Sequence, residues 1–261
     1  TGSGFDASPW LKPSLAIVDP TTTETLPGGV VAASGFDVLS HAVESYTARP
    51  FTSRPRPAHP SQRPPYQGST PYNDIGSIAA IRLGGKFLAR AVRDAGDKEA
   101  RHQLMFASTL AGLAFGSAGV HVPHAMSYSI ATLKHVFTAA GYEERDPMVP
   151  HGIAVVINAP AAFRFTAAAD PARHLEAAAA LGADTAGARP EDAGEILARA
   201  FIALMRETGL PSGIAALGYG ESDVPALAEG AMAQQRPLVM APRRVSKQDL
   251  EGIYRNALRY W

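Results

Sequence analysis

Residues 35–46 read GFDVLSHAVESY. Asp37 and His41 stand four apart in a stretch whose Val38, Leu39, Ala42 and Val43 supply an apolar stripe at helical spacing. Positions i and i+4 lie one above the other on a helix, so this carboxylate and this imidazole share a face. Such a pair can grip one divalent ion. Two later segments each offer another imidazole, His124 in GVHVPHAMSY and His151 in VPHGIAVV. The reading that organises the chain is that Asp37, His41, His124 and His151 close on a single metal.

Composition permits this and excludes much else. The chain has 261 residues, 46% of them apolar, enough for a sizeable core. Lys+Arg and Asp+Glu balance at 24 each, so net charge argues for neither nucleic acid nor an anionic membrane. With no cysteine, disulfides and thiolate ligands are ruled out, and any metal must sit on nitrogen and oxygen. No apolar run reaches the ~18 residues of a membrane span, and no signal peptide is visible. A cytoplasmic location is expected.

Outward from the opening stretch, SLAIV (Ser14–Val18) predicts a short strand, stopped at Pro20. Val30–Tyr46 predicts a helix with Asp37, His41 and Ser45 along one stripe. Residues 48–74 hold seven prolines and almost no aliphatics, so no regular element is expected there. Phe51, Tyr66 and Tyr72 argue for an ordered excursion rather than a linker, and a long ordered loop beside a site is usually functional. Beyond it the chain reads as helical. Predicted helices cover Ile75–Ala95, with Gly84-Gly85 marking a close contact or a kink, and Lys98–Gly116, apolar enough to be buried on most sides. Further helices are predicted at His121–Lys134, Pro171–Leu181, Asp192–Thr208, Val224–Ala233 and Ser246–Tyr260. Ser246 with Asp249 fits an N-cap followed by an acidic first turn.

One oxygen donor with three imidazoles suits Fe(II), Zn(II), Co or Ni and disfavours Ca and Mg. It would leave a coordination position where a metal could polarise an alcohol or carbonyl oxygen. Each residue alone has an ordinary use, as a core histidine, a helix cap or a helix-start charge. Glu44 reads as a residue behind the ligands or on the surface. His102 and His174 read as lying on charged helix faces, and His121 as a candidate pocket residue. GxGxxG after a strand, GxxxxGK[ST], HExxH and GxSxG are all absent.

GFDVLSHAVESYT, HAMSYSI and VPHGIAVV resemble the three metal motifs of the iron-containing (group III) alcohol dehydrogenases. KPSLAIVDP, RPPYQGST and RHLEAAAALGADT extend the resemblance over nearly the whole chain. RPPYQGST and AGVHVPHAMSY tilt it toward the branch that moves hydride between a hydroxyacid and an oxoacid. The resemblance implies a mainly α fold, the multi-helix C-terminal metal-binding domain of the dehydroquinate synthase-like fold. Residues 1–34 would be a lead-in strand and loop from an N-terminal nucleotide-binding domain, and 35–261 the helical catalytic domain. It places Asp37, His41, His124 and His151 on the family's four ligand positions, with Fe(2+) as the metal and Zn(2+) as the alternative. NAD(P) would be held by the N-terminal domain, whose glycine-rich loop is not in this sequence. The chain is therefore expected to be the catalytic half alone and by itself could lack activity. Many relatives carry a further histidine where this chain has Tyr128. Tyr128 or His121 would then take its catalytic part. The expected partner is a small hydroxyacid, oxoacid or alcohol, with no nucleic acid and no membrane, and a homodimer is left open. Arg54, Arg56 and Arg63 of the proline-rich loop are candidates for meeting a substrate carboxylate.

Overall fold

The computed structural model describes residues 13–143 and 145–261. Among the described residues eleven α-helices make up the body: α1 Gly28–Thr47, α2 Pro71–Arg93, α3 Lys98–Ala118, α4 Val122–Leu133, α5 His151–Val156, α6 Ala159–Thr166, α7 Pro171–Leu181, α8 Ala193–Glu207, α9 Val224–Met232, α10 Gln235–Leu238 and α11 Lys247–Asn256. They surround one continuous apolar core.

Helix α1 is the axis of the arrangement. Val31, Ala32, Ala33, Phe36, Leu39, Ala42, Val43 and Tyr46 are all buried, and so are Ser40, Glu44, Ser45 and Thr47. A helix hydrophobic nearly all round has to be covered on every side. Helices α2 and α3 pack along it, α5 crosses it, and α7 and α4 close the remaining sides. Helix α1 begins at Gly28, and Val31–Ala33 already belong to the core.

Helix α2 starts on the Thr70 cap, whose Oγ1 accepts from the Asn73 N–H at 3.2 Å, with Pro71 at the first position. It runs through Gly84-Gly85 unbroken. A Cβ on Gly84 would lie 2.3 Å from Leu39 Cδ2, and one on Gly85 would lie 2.4 Å from the Leu181 carbonyl. The glycine pair is thus a double close contact and not a kink. Helix α3 ends at Gly119, whose φ of 85° favours glycine. The chain then turns through 102° into α4. That elbow throws His121 and His124 back over α1.

Three expectations are corrected. Ser14–Val18 forms no strand among the described residues, and Leu15 and Ile17 are exposed. A strand needs a partner to receive its hydrogen bonds, and none lies beside this one among the described residues. Helix α3 is open along one side, where Phe106 and Leu113 face out. His174 on α7 is fully buried rather than on a charged face. The proline-rich segment is ordered as expected. The Phe51 N–H donates to the Ser69 carbonyl at 3.1 Å, and the Gln67 N–H donates to the Ser117 carbonyl at 2.6 Å. Ser246 caps α11 with Asp249 reciprocating. Among the described residues no single helix is long and apolar enough to cross a membrane.

His174 carries a testable consequence. Its ring stands 2.8 Å from the Asp170 carbonyl through Nδ1 and 2.9 Å from Thr166 Oγ1 through Nε2. Burial pushes its pKa down from 6.5 to about 4. The unfolded chain therefore binds a proton that the folded chain refuses between those two values. The stabilisation is complete above pH 6.5 and is lost as pH falls toward 4, a change of about 3 kcal/mol. Urea denaturation at several pH values should show this part of the slope missing in His174→Gln. Parallel slopes for the two proteins would contradict it.

Candidate metal centre

Asp37 and His41 sit one turn apart on α1, with His41 Nδ1 3.9 Å from Asp37 Oδ2. His124, in the first turn of α4, comes down opposite them. Its Nε2 is 3.0 Å from His41 Nε2 and 3.4 Å from Asp37 Oδ1. His151 opens α5 directly after Pro150, and its Nε2 reaches 3.8 Å from the same Oδ1. The four residues singled out in the sequence are thus brought to one place. Asp37, His41 and His124 form the tight group, and His151 approaches from the solvent side with its side chain half exposed.

Local sequence explains each placement. Gly152 lets α5 lie flush on α1, since a Cβ there would be 1.9 Å from the Ala33 carbonyl and 3.2 Å from Asp37 Cβ. His41 is held flat between two rings. Phe115 of α3 stacks at 4.1 Å with a 9° interplanar angle, and His124 stacks at 4.6 Å. Nothing in the sequence around Phe115 separates it from other core aromatics, so it was not foreseen.

Glu44, two turns from Asp37, is fully buried. Its Oε2 stands 2.5 Å from His124 Nδ1, and its Oε1 accepts the N–H groups of His121 at 2.8 Å and His124 at 3.3 Å. It lies behind the ligand group and not on the surface. Holding a proton on Nδ1 leaves the Nε2 lone pair of His124 facing Asp37 and His41. Burial alone would raise the Glu44 pKa, but the neighbouring His124 and its hydrogen bond outweigh that and keep the carboxyl ionised.

His121 lies deeper still, with no exposure. Its Nε2 is 2.9 Å from Thr47 Oγ1, whose own proton goes to the Val43 carbonyl at 2.7 Å. The Nε2 is therefore the donor, and Nδ1 is left without a hydrogen-bond partner. Tyr128, one turn beyond His124, has its ring 6.3 Å from that of His151. Burial raises its pKa, against the effect of a hydrogen bond with Arg236 of α10. Ser45 is turned away and bonds Ser77 at 2.8 Å. Arg54 donates to the Tyr66 carbonyl, and Arg56 and Arg63 are exposed on the loop. None of the three contacts the ligand group.

The donor set fits a divalent cation. Asp37 Oδ1 is buried without a hydrogen-bond partner while imidazole nitrogens face it. A buried carboxylate oxygen left in that way is costly unless a cation meets it. Two Nε2 atoms 3.0 Å apart cannot both carry protons, and such spacing suits donors about 2 Å from a shared centre. Burial opposes ionisation of Asp37, yet the approach of His124 Nε2 to 3.4 Å and the other imidazoles around it prevail and hold it well below the usual carboxylate range. Burial pushes His41 down to about 4 and lowers His151 as well. Burial disfavours the charged form of His124 too, but Glu44 and Asp37 outweigh it and raise its pKa to about 10, so a cation binding there would displace a proton from His124 while meeting an ionised Asp37.

Comparison with known proteins gives the family. The C-terminal part of the Fe-containing alcohol dehydrogenase family matches residues 66–258. The chain is 46% identical over 256 residues to the mitochondrial hydroxyacid-oxoacid transhydrogenase of Pongo abelii, which covers 98% of this chain and 55% of that protein. The crystal structure of a 1,3-propanediol oxidoreductase superposes with a TM-score of 0.75 at 28% identity, covering 92% of this chain and 54% of that one. Sulfoacetaldehyde reductase from Bifidobacterium kashiwanohense, solved in complex with NAD+, superposes with a TM-score of 0.71 at 26% identity, covering 94% and 55%. The chain spans about half the length of the relatives it matches. With the family model matched over most of its length, this chain belongs to the iron-containing alcohol dehydrogenase family.

Proposed function

We propose that Asp37, His41, His124 and His151 hold one divalent cation, Fe(II) or alternatively Zn(II), in an oxidoreductase that moves hydride from a hydroxyacid to an oxoacid through NAD(P). A 4-hydroxybutyrate-type donor and a 2-oxoglutarate-type acceptor are the substrates intended. The observation that carries this reading is the buried, partnerless Asp37 Oδ1 among imidazole nitrogens. The family membership and the relatives' names support the reaction class.

When bound, the metal supplies Lewis-acid polarisation of the substrate oxygen. The chain's own residues prepare for that. Glu44 sets the tautomer of His124. Phe115 keeps the His41 ring in one plane and covers its far side. Tyr128 stays protonated at neutral pH, since its pKa is raised, and so offers its Oη as a donor rather than a base. We assign it to orienting substrate. His121 is sealed behind Glu44 and acts through it by bracing the backbone that carries His124. A hydrolytic reading would need a free carboxylate base, and Glu44 is already committed to three donors. By analogy with the relative's name, a mitochondrial location replaces the cytoplasmic expectation as our proposal.

The test starts with metal analysis and Fe(II) and Zn(II) titration of the purified protein, where one equivalent is expected. Then 4-hydroxybutyrate deuterated at C4 is offered with NAD+ and 2-oxoglutarate. Deuterium in the resulting 2-hydroxyacid, retained in ordinary water, is the expected result. Failure to bind metal, or hydride transfer without it, would end the proposal.

A further inference from the structure

The geometry points to Arg236 as the residue that selects an acid substrate by gripping its carboxylate, with Tyr128 and Tyr66 completing the grip. This rests on the reading above, because it takes the reacting oxygen to lie at the Asp37, His41, His124 and His151 group. A hydroxyacid or oxoacid bound there brings a second charged end with it. Burying a carboxylate without a cation is strongly unfavourable. Helices α1, α4 and α5, which carry the four ligands, contain no Arg or Lys.

Arg236 on α10 is tied to the site through Tyr128. It hydrogen-bonds Tyr128, whose ring lies 6.3 Å from that of His151. Its guanidinium lies over the Tyr66 ring, 5.5 Å from the centroid. A ring in that position limits the directions the fork can take. Tyr66 is itself fixed from beneath, because Gly119 leaves no room for a side chain there. A Cβ on Gly119 would lie 3.2 Å from Tyr66 Cβ and 3.0 Å from Met240 Cγ. The proline-rich loop therefore does enter substrate recognition, but through Tyr66. Its arginines Arg54, Arg56 and Arg63 are not the cations involved.

The test compares the metal-loaded enzyme with its nicotinamide in wild-type, Arg236→Met and Arg236→Lys forms. Two readouts are used, calorimetric binding of 2-oxoglutarate and the ratio of kcat/KM for 4-hydroxybutyrate to that for 1-butanol. A charged bidentate contact removed from a partly buried site should lower both the affinity and the ratio about 10–100-fold in Arg236→Met. The change should appear in KM rather than kcat. Arg236→Lys keeps the charge without the fork and should fall between. It also serves if the Met variant does not fold, which metal stoichiometry will reveal. Unchanged acid affinity and ratio in either folded variant of an active enzyme would overturn the grip alone. A wild-type enzyme shown to have both metal and nicotinamide bound that still transfers no hydride between acids would overturn the underlying reading and the grip together.

Discussion

Glu44→Ala is expected to destabilise the protein by about 3–5 kcal/mol and to weaken metal binding about 10–100-fold. Three donors meet that one carboxylate: the His124 ring, the His124 N–H and the His121 N–H. All are buried, so no water replaces the lost acceptor. The His124 ring would then be free to place its proton on Nε2, where a lone pair is needed. Glu44→Gln separates the two consequences. Its amide oxygen can still accept the two backbone N–H bonds that Oε1 accepts, so most of the fold should survive. Its amide nitrogen cannot accept from His124 Nδ1, so metal affinity should still drop. Urea denaturation and metal titration on both variants give the answer. A Glu44→Gln protein that binds metal as tightly as wild type would show that Glu44 is only a structural filler.

Gly152→Ala is expected to destabilise by 3 kcal/mol or more, at the upper end of overpacking effects. A single added methyl carbon would stand 1.9 Å from the Ala33 carbonyl, a backbone atom that no rotamer change can move. Helix α5 must therefore lift from α1. His151, the neighbouring residue, would lift with it and lose its 3.8 Å approach to Asp37. Stability and metal affinity should fall together. Gly112→Ala is the control, since nothing lies within 4 Å of a Cβ at that position of α3. It should be neutral or stabilising by up to about 1 kcal/mol. Equal behaviour of the two variants, by thermal denaturation and metal titration, would remove the argument.

These cases mark where sequence reasoning carries and where it stops. Asp37 and His41 were legible because an i, i+4 pair in an apolar helix defines its own face before anything packs on it. The Ser246 cap and the Pro171–Leu181 helix were legible for the same reason, being written in neighbouring residues. That His124 and His151 arrive at Asp37 depended on family resemblance, since no local pattern encodes the 102° elbow after α3. His174 was misread because Arg173 and Glu176 beside it suggest a wet face. Arg173 in fact pairs with Asp74, and Glu176 accepts from Tyr46, so both belong to α7's packing against the bundle. Arg236 could not be seen at all. It sits on a four-residue helix with no periodicity, and its meaning comes only from what it touches.

The site draws its groups from α1, α4 and α5, with helices α2 and α3 between the first two and a single loop between the last two, in a polypeptide without a single cysteine. A cation seated there would act as a removable cross-link, tying distant stretches together as a disulfide does elsewhere. Loading would then be part of maturation. A chain starved of its ion would be the looser species and the one a protease finds first.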